Sequence, residues 1–218
     1  MISKRILLII ALVIIPQITV AEQSGFDNAL AHLQQEFDAI NVKREKSTDD
    51  QLAKDFEHLR LNAQEVSNGY PGRPEPLVWQ AWALSEYAMA IKSFSSMEAY
   101  REARNKLEEA LQIDSNVFNG KGWVTLARLY HHLPRWPISY GNKKKAEEYY
   151  RKGLSINPSD CEANYFSAEL FYDNENYAEA QRHLEVAKKA QQQQSQALAY
   201  MKPLIDKLNT KLATKTRS

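Results

Sequence analysis

Apolar residues recur along this chain in steps of four and three. Phe26, Leu30, Leu33, Phe37 and Ile40 form one such stripe, and Leu52, Phe56, Leu59, Ala63 and Val66 form the next. Steps of this kind lay one apolar face along a helix. They predict a helix from about Gly25 to Lys46 and a second after the polar break Ser47-Thr48-Asp49-Asp50, with Thr48 and Gln51 as a capping box. Two stripes joined by a short polar break predict an antiparallel hairpin. The run Asn68 to Pro76 holds three prolines and two glycines, which stop helix. Beyond it Leu77, Trp79, Trp82, Ala83, Leu84, Tyr87 and Met89 crowd more than one face, as on an inner helix of a stacked array. Ser95 and Glu98 suggest a cap for the following helix, whose stripe is Ala103, Leu107, Ala110 and Leu111.

The stretch from Gly122 to Pro158 has the sharpest pattern. Trp123, Leu126, Ala127 and Tyr130 lie on one helix, and Ala146, Tyr150 and Gly153 on a second, which Pro158 closes. After it Ser159 and Glu162 suggest a cap, Tyr165, Phe166, Ala168, Phe171 and Tyr172 a first helix, Asp173-Asn174-Glu175-Asn176 a turn, and Ala180, Leu184 and Ala187 a second helix. From Ala146 to Ala180 is 34 residues, and from Ala103 to Ala146 is 43. The longer step reflects extra residues at 131–142, the run His131-His132-Leu133-Pro134-Arg135-Trp136-Pro137-Ile138-Ser139-Tyr140-Gly141-Asn142. Leu198, Met201, Leu204, Ile205, Leu208 and Leu212 predict a last amphipathic helix, with Pro203 near its start or at a kink.

W-x2-L-A-x2-Y followed by A-x3-Y-x2-G and a closing proline resembles the tetratricopeptide repeat. The resemblance covers Leu77 to Ala190. It implies an all-α, right-handed solenoid of about four helical pairs, with the last helix capping an otherwise exposed apolar face. The organisation expected is a leader at 1–21, a degenerate or capping hairpin at 22–70, repeats at 71–194 and a capping helix and tail at 195–218. In that family the first helices line a concave groove that takes a partner protein, a peptide or occasionally a small ligand. The matched positions are Gln80, Leu84 and Tyr87; Lys121, Val124, Arg128 and His131; and Glu162, Tyr165, Glu169 and Tyr172. The pattern also resembles exported bacterial members of the family, some of them companions of tripartite ATP-independent periplasmic transporters. That likeness rests on the loop Pro134-Arg135-Trp136-Pro137, and no cysteine near the leader could carry a lipid anchor.

Composition changes this picture at the N-terminus. Lys4 and Arg5, the apolar run Ile6 to Ile15 and the ending Thr19-Val20-Ala21 make a secretory signal peptide, with a cut expected after Ala21. The apolar run is shorter than the ~20 residues that span a bilayer. A periplasmic or secreted protein is expected, with no membrane span after cleavage. The formal net charge of +1 gives no basic excess for nucleic acid. Cys161, the sole cysteine, cannot form an internal disulfide and is read as a small residue in the first turn of a helix rather than a redox thiol or an intermolecular bridge.

Candidate chemistry is sparse. His131 and His132 are adjacent, so their side chains leave a helix about 100° apart, and no Cys or third His lies at ligand spacing. No metal and no cofactor is expected. Glycine loops for phosphate, G-x-S-x-G and H-E-x-x-H are absent from the sequence. The expectation is a non-enzymatic binding or scaffold module that takes a partner segment in its groove. The alternative is a small-molecule accessory protein of a transport system, in which Trp136 and Tyr140 wall a closed pocket. The candidate binding residues are Gln80, Leu84, Tyr87, Arg128, His131, Trp136, Tyr140, Tyr165, Glu169 and Tyr172. For Trp136, Ile138 and Tyr140 two fates are open: packing on their own repeat, or closing over the groove.

Overall fold

The computed structural model describes residues 20–196 and 198–215, and these form helices and turns with no strand among them. The leader residues 1–19 lie outside the described residues. The helices are α1 (Val20–Lys43), α2 (Asp49–Gly69), α3 (Glu75–Ile91), α4 (Ser95–Ile113), α5 (Lys121–His132), α6 (Lys143–Ile156), α7 (Cys161–Asp173), α8 (Tyr177–Gln193) and α9 (Met201–Lys215). Short connections stack them as the hairpins α1–α2, α3–α4, α5–α6 and α7–α8, and α9 closes the array against α8 and α7. The fold is an all-α, tetratricopeptide-like solenoid with a C-terminal capping helix. Among the described residues no helix is long and apolar enough to cross a membrane.

Local signals set most of the boundaries. Thr48 Oγ1 accepts from the Gln51 N–H at 3.3 Å while Gln51 Oε1 accepts from the Thr48 N–H at 2.8 Å, the expected capping box. Two expected caps are corrected. Ser95 caps nothing; instead Ser96 Oγ accepts from the Ser93 N–H at 3.0 Å. Ser159 stands one residue early, and the Asp160 carboxylate accepts from the Ala163 N–H at 2.8 Å. A carboxylate is favoured there by the positive end of the helix dipole. Pro203 falls in the first turn of α9, where no N–H is needed.

Two apolar clusters make the core. Leu33, Ile40, Phe56, Leu59 and Ala63 from α1 and α2 meet Trp79 and Ala83 of α3. The larger cluster runs from α3 to α9. Trp82, Tyr87 and Phe118 pack against both. Phe118 stacks on Trp82 with ring centroids 5.4 Å apart, and Trp82 Nε1 donates to Thr125 Oγ1 at 2.7 Å. The turn that returns Phe118 to this place uses left-handed backbone at Phe118, Asn119 and Gly120, with φ of 47°, 54° and 87°.

The small positions repeat as the sequence predicts. Ala103, Leu107 and Ala110, then Ala146, Tyr150 and Gly153, then Ala180, Leu184 and Ala187 are all buried on the second helices. A Cβ on Gly153 would come within 2.8 Å of Val124 Cγ2, and one on Gly120 within 3.0 Å of the Gly153 carbonyl. Backbones approach here because no side chain keeps them apart. Cys161 is buried in the first turn of α7, its thiol directed at the Ala187 carbonyl at 3.4 Å and pushed up to about 12 by burial, which makes it unreactive.

The connector between α5 and α6 is 133–142; His131 and His132 finish α5 rather than open the loop. It is tied at its base, with the Gly141 N–H donating to the Pro134 carbonyl at 2.9 Å and the Asn142 N–H to the Tyr130 carbonyl at 2.7 Å. Tyr140 folds back, donating to the Tyr100 carbonyl at 2.7 Å, with Arg104 over its ring and Tyr130 edge-on. Packing is thus the fate of Tyr140 alone. Trp136 is 86% and Ile138 71% exposed, so of the two open fates neither side chain takes packing on its own repeat.

Candidate functional site

The first helices α5 and α7 lie side by side, and α9 continues the row on the far side of α7. Their charges alternate along the row. α5 presents Lys121 and Arg128, α7 presents Glu162, Glu169 and Asp173, and α9 carries Lys207 and Lys211. Lys121 Nζ pairs with Glu162 Oε2 at 3.1 Å, and Tyr200 donates to Glu162 Oε1 at 2.9 Å. Burial pushes the Glu162 carboxyl up, but Lys121, Arg128 and the Tyr200 bond outweigh it and hold it below the usual range. Arg128 lies 4.2 Å above the Phe166 ring, and Tyr165 meets Phe166 edge-on.

The last turn of α5 converges on the same row. The His131 and His132 rings stack with centroids 4.3 Å apart. His131 Nε2 lies 3.2 Å from Asp173 Oδ2, and His132 Nε2 lies 3.5 Å from Glu169 Oε2. Burial, reinforced by His131 and Arg128, lowers the His132 imidazole to about 4, and burial likewise lowers His131. The Glu169 carboxyl is raised, by burial first and then by Asp173, with Arg128, Lys207 and Lys211 acting against it. Its Oε2 is buried without a hydrogen-bond partner, as is Arg128 Nε.

The sequence-predicted residues divide. Arg128, His131, Tyr165, Glu169 and Tyr172 come together on this row; Lys211 sits over the Tyr172 ring at 5.8 Å. Gln80 and Leu84 do not line an open surface: they are 2% and 3% exposed, because α3 is packed by α2 on one side and α4 on the other. Tyr87 is half-buried between the two apolar clusters, and Trp136 and Tyr140 belong to the loop. The sequence reading weighed His132 only as a metal ligand and set it aside, and it placed neither Phe166 nor Asp173 on this row. Each follows an assigned residue by one, His131, Tyr165 and Tyr172, so a face one position wider would have found them.

The end of the solenoid where first helices turn into second helices has another character. Phe94 in the α3–α4 turn is 100% exposed, and Trp136 and Ile138 emerge from the α5–α6 connector at that end. Neither of the two best-formed depressions is walled by Trp136 or Tyr140. One of about 450 Å3 lies between α1 and α2, beside His32, Glu36, Asp55 and His58. The other, about 360 Å3, lies between α6, α7 and α8, beside Tyr150, Asn164, Ser167 and His183.

No family model and no curated protein matches the sequence. Solved structures of MamA are similar at low identity. One has 16% identity over 71% of this chain and 95% of its own, with a TM-score of 0.37. A second has 16% identity, 75% and 94% coverage and a TM-score of 0.35, and the MamA RS-1 ArsTM double mutant has 12%, 74% and 96%, with 0.36. Superpositions this loose add nothing on function, and the fold stands on the hairpins themselves.

Proposed function

We propose that this chain is an exported, non-enzymatic scaffold that holds a segment of a partner protein. The observation that carries the reading is the set of large apolar side chains left in water at one end of the solenoid, Phe94, Trp136 and Ile138. Burying such a side chain is worth about 1.5–3 kcal/mol, so a folded protein gains by covering them. Trp136 also stands on a loop whose base is fixed by backbone hydrogen bonds and by Tyr140, so little ordering is lost when it engages. The mixed charges of Lys121, Arg128, Glu162 and Glu169 on the neighbouring row give a partner its register rather than its affinity. The small-molecule alternative finds no support in the two depressions, which Trp136 and Tyr140 do not line.

Export is part of the proposal. A cut after Ala21 removes two exposed residues of α1 and leaves Phe26, the first buried one. A companion role beside a periplasmic transporter is the finer form, resting on the Pro134-Arg135-Trp136-Pro137 loop alone. The test is Trp136→Ala in the mature protein. Far-ultraviolet circular dichroism should be nearly unchanged, while affinity for the native partner falls by about 1–2 kcal/mol, a hot-spot loss. Unchanged affinity with the helices intact overturns the loop's role.

A further inference from the structure

The histidines that end α5 meet α7 in a way that adjacent residues on one helix do not suggest. One nitrogen from each of His131 and His132 and one oxygen of Glu169 all lie within 4.8 Å of one another. Around a tetrahedral Zn2+, with bonds of about 2.0–2.1 Å, ligand atoms stand about 3.3 Å apart. His132 Nε2 and Glu169 Oε2 are already 3.5 Å apart. That Glu169 oxygen is buried and has no hydrogen-bond partner, a costly arrangement for a carboxylate that a cation would relieve. Asp173, one turn after Glu169 on α7, reaches His131 Nε2 at 3.2 Å from outside the converging three. We propose that His131, His132 and Glu169, completed by Asp173, form a binding site for a divalent transition ion of the Zn2+ class, clamping α5 to α7.

The donor set supports that class. Two imidazoles with two carboxylates suit Zn2+ and its neighbours, whereas Ca2+ and Mg2+ prefer all-oxygen shells. Both pairs of ligands come from helices, which hold side chains more firmly than loops do. The rings, which stack at 25° to each other, must turn so that both lone pairs meet one point, and the Asp173 carboxylate, outside the converging three, must swing toward them. Arg128, which lies over Phe166, and Lys143, 4.0 Å from Asp173 Oδ2, oppose the ion and keep its affinity moderate.

The experiment titrates tag-free protein with Zn2+ against a chromogenic chelator, beside His132→Ala, Glu169→Gln and, as a control, His58→Ala. His58 pairs with Glu36 between α1 and α2, away from this site. One ion per chain is expected, with affinity cut by at least about tenfold in each of the two site variants and unchanged in the control. No saturable binding, or binding that both site variants retain in full, overturns the proposal. Co2+ added to the unaltered protein gives a readout independent of any variant's folding. Visible ligand-field bands that Zn2+ displaces are expected, and their absence overturns the site equally.

Discussion

The hairpins α5–α6 and α7–α8 are built to one plan and filled with different chemistry. On the second helices Ala146, Tyr149, Tyr150 and Gly153 correspond to Ala180, His183, Leu184 and Ala187. On the first, Trp123, Leu126, Ala127 and Tyr130 correspond to Asn164, Ser167, Ala168 and Phe171. The α5–α6 hairpin joins its helices with an aromatic pair, Trp123 and Tyr149, 5.5 Å between centroids. At the same two places the α7–α8 hairpin has a hydrogen bond, His183 Nδ1 to Asn164 Oδ1 at 2.9 Å. The Asn164 amide donates to the Pro158 and Asp160 carbonyls at 2.9 and 2.8 Å, and His183 stacks on Phe171. Arg182 donates to His183 Nε2 at 2.9 Å, which leaves the ring proton on Nδ1. The small positions do not vary because the backbones touch there. The large ones need only be filled, by apolar bulk or by polar groups that satisfy each other. Where Asn164 and Ser167 replace Trp and Leu, bulk is missing: the 360 Å3 depression opens beside them, and Ser167 Oγ has no partner.

The comparison breaks most visibly at a shared small position. Ala146 and Ala180 are fully buried between helices. Leu at either place overpacks the contact, and Ala180→Leu is expected to cost about 1–3 kcal/mol. In a domain of this size each kcal/mol lowers the melting midpoint by about 2–4 °C. A thermal melt of Ala180→Leu that superimposes on that of the unaltered protein would mean the two hairpins are not aligned as described.

A second experiment sharpens the difference between the fillings. His183→Ala removes the group facing Asn164 Oδ1 and leaves a buried acceptor unpaired, which costs about 1–3 kcal/mol. The adjoining depression admits water to Asn164, so the lower half of that range is expected. The pair also gives the α7–α8 hairpin a pH dependence that Trp123 and Tyr149 cannot supply, since burial raises Tyr149 and keeps it neutral. Burial, then the Arg182 charge, lowers the His183 imidazole, with Glu179 acting weakly against them. The unfolded chain therefore binds the proton more readily than the folded one, so stability falls as pH drops below the ordinary histidine value of about 6.5. Melts from pH 7.5 to 4.5 should slope less in His183→Gln than in the unaltered protein. Parallel curves would show that His183 is not the group that titrates.

The fold was legible because its determinants are local or periodic. The stripes of α1 and α2, the Thr48–Gln51 box and the 34-residue step from Ala146 to Ala180 all survive in the structure. Caps were legible only to within a residue, as Ser159 and Asp160 show, because either could accept the bond. The site was legible in part. Arg128 and Glu169 follow from the repeat register, but His132 meets Glu169 across 37 positions, and no periodicity links the end of α5 to the middle of α7. Gln80 and Leu84 hold the matched register but are covered where α2 and α4 pack along α3, a contact that the register does not carry.

The smallest expected effect lies in the connector, where the two hairpins differ most. The α7–α8 turn takes three residues, 174–176, and the α5–α6 connector takes ten, 133–142. If the extra length served packing, both of its prominent aromatics would matter to stability. The structure assigns that work to Tyr140, whose hydroxyl donates to the Tyr100 carbonyl and whose ring lies under Arg104. Tyr140→Phe keeps the ring and loses one hydrogen bond, an expected cost of about 0.5–1.5 kcal/mol. Trp136, 86% exposed, gives up almost no packing when truncated, and a surface change of that kind stays within about 0.5 kcal/mol. Chemical denaturation of the two variants side by side should order them so, with Trp136→Ala close to the unaltered protein. If Trp136→Ala is the more destabilised of the two, the connector is a packing element throughout. Its tryptophan would then no longer argue for a partner.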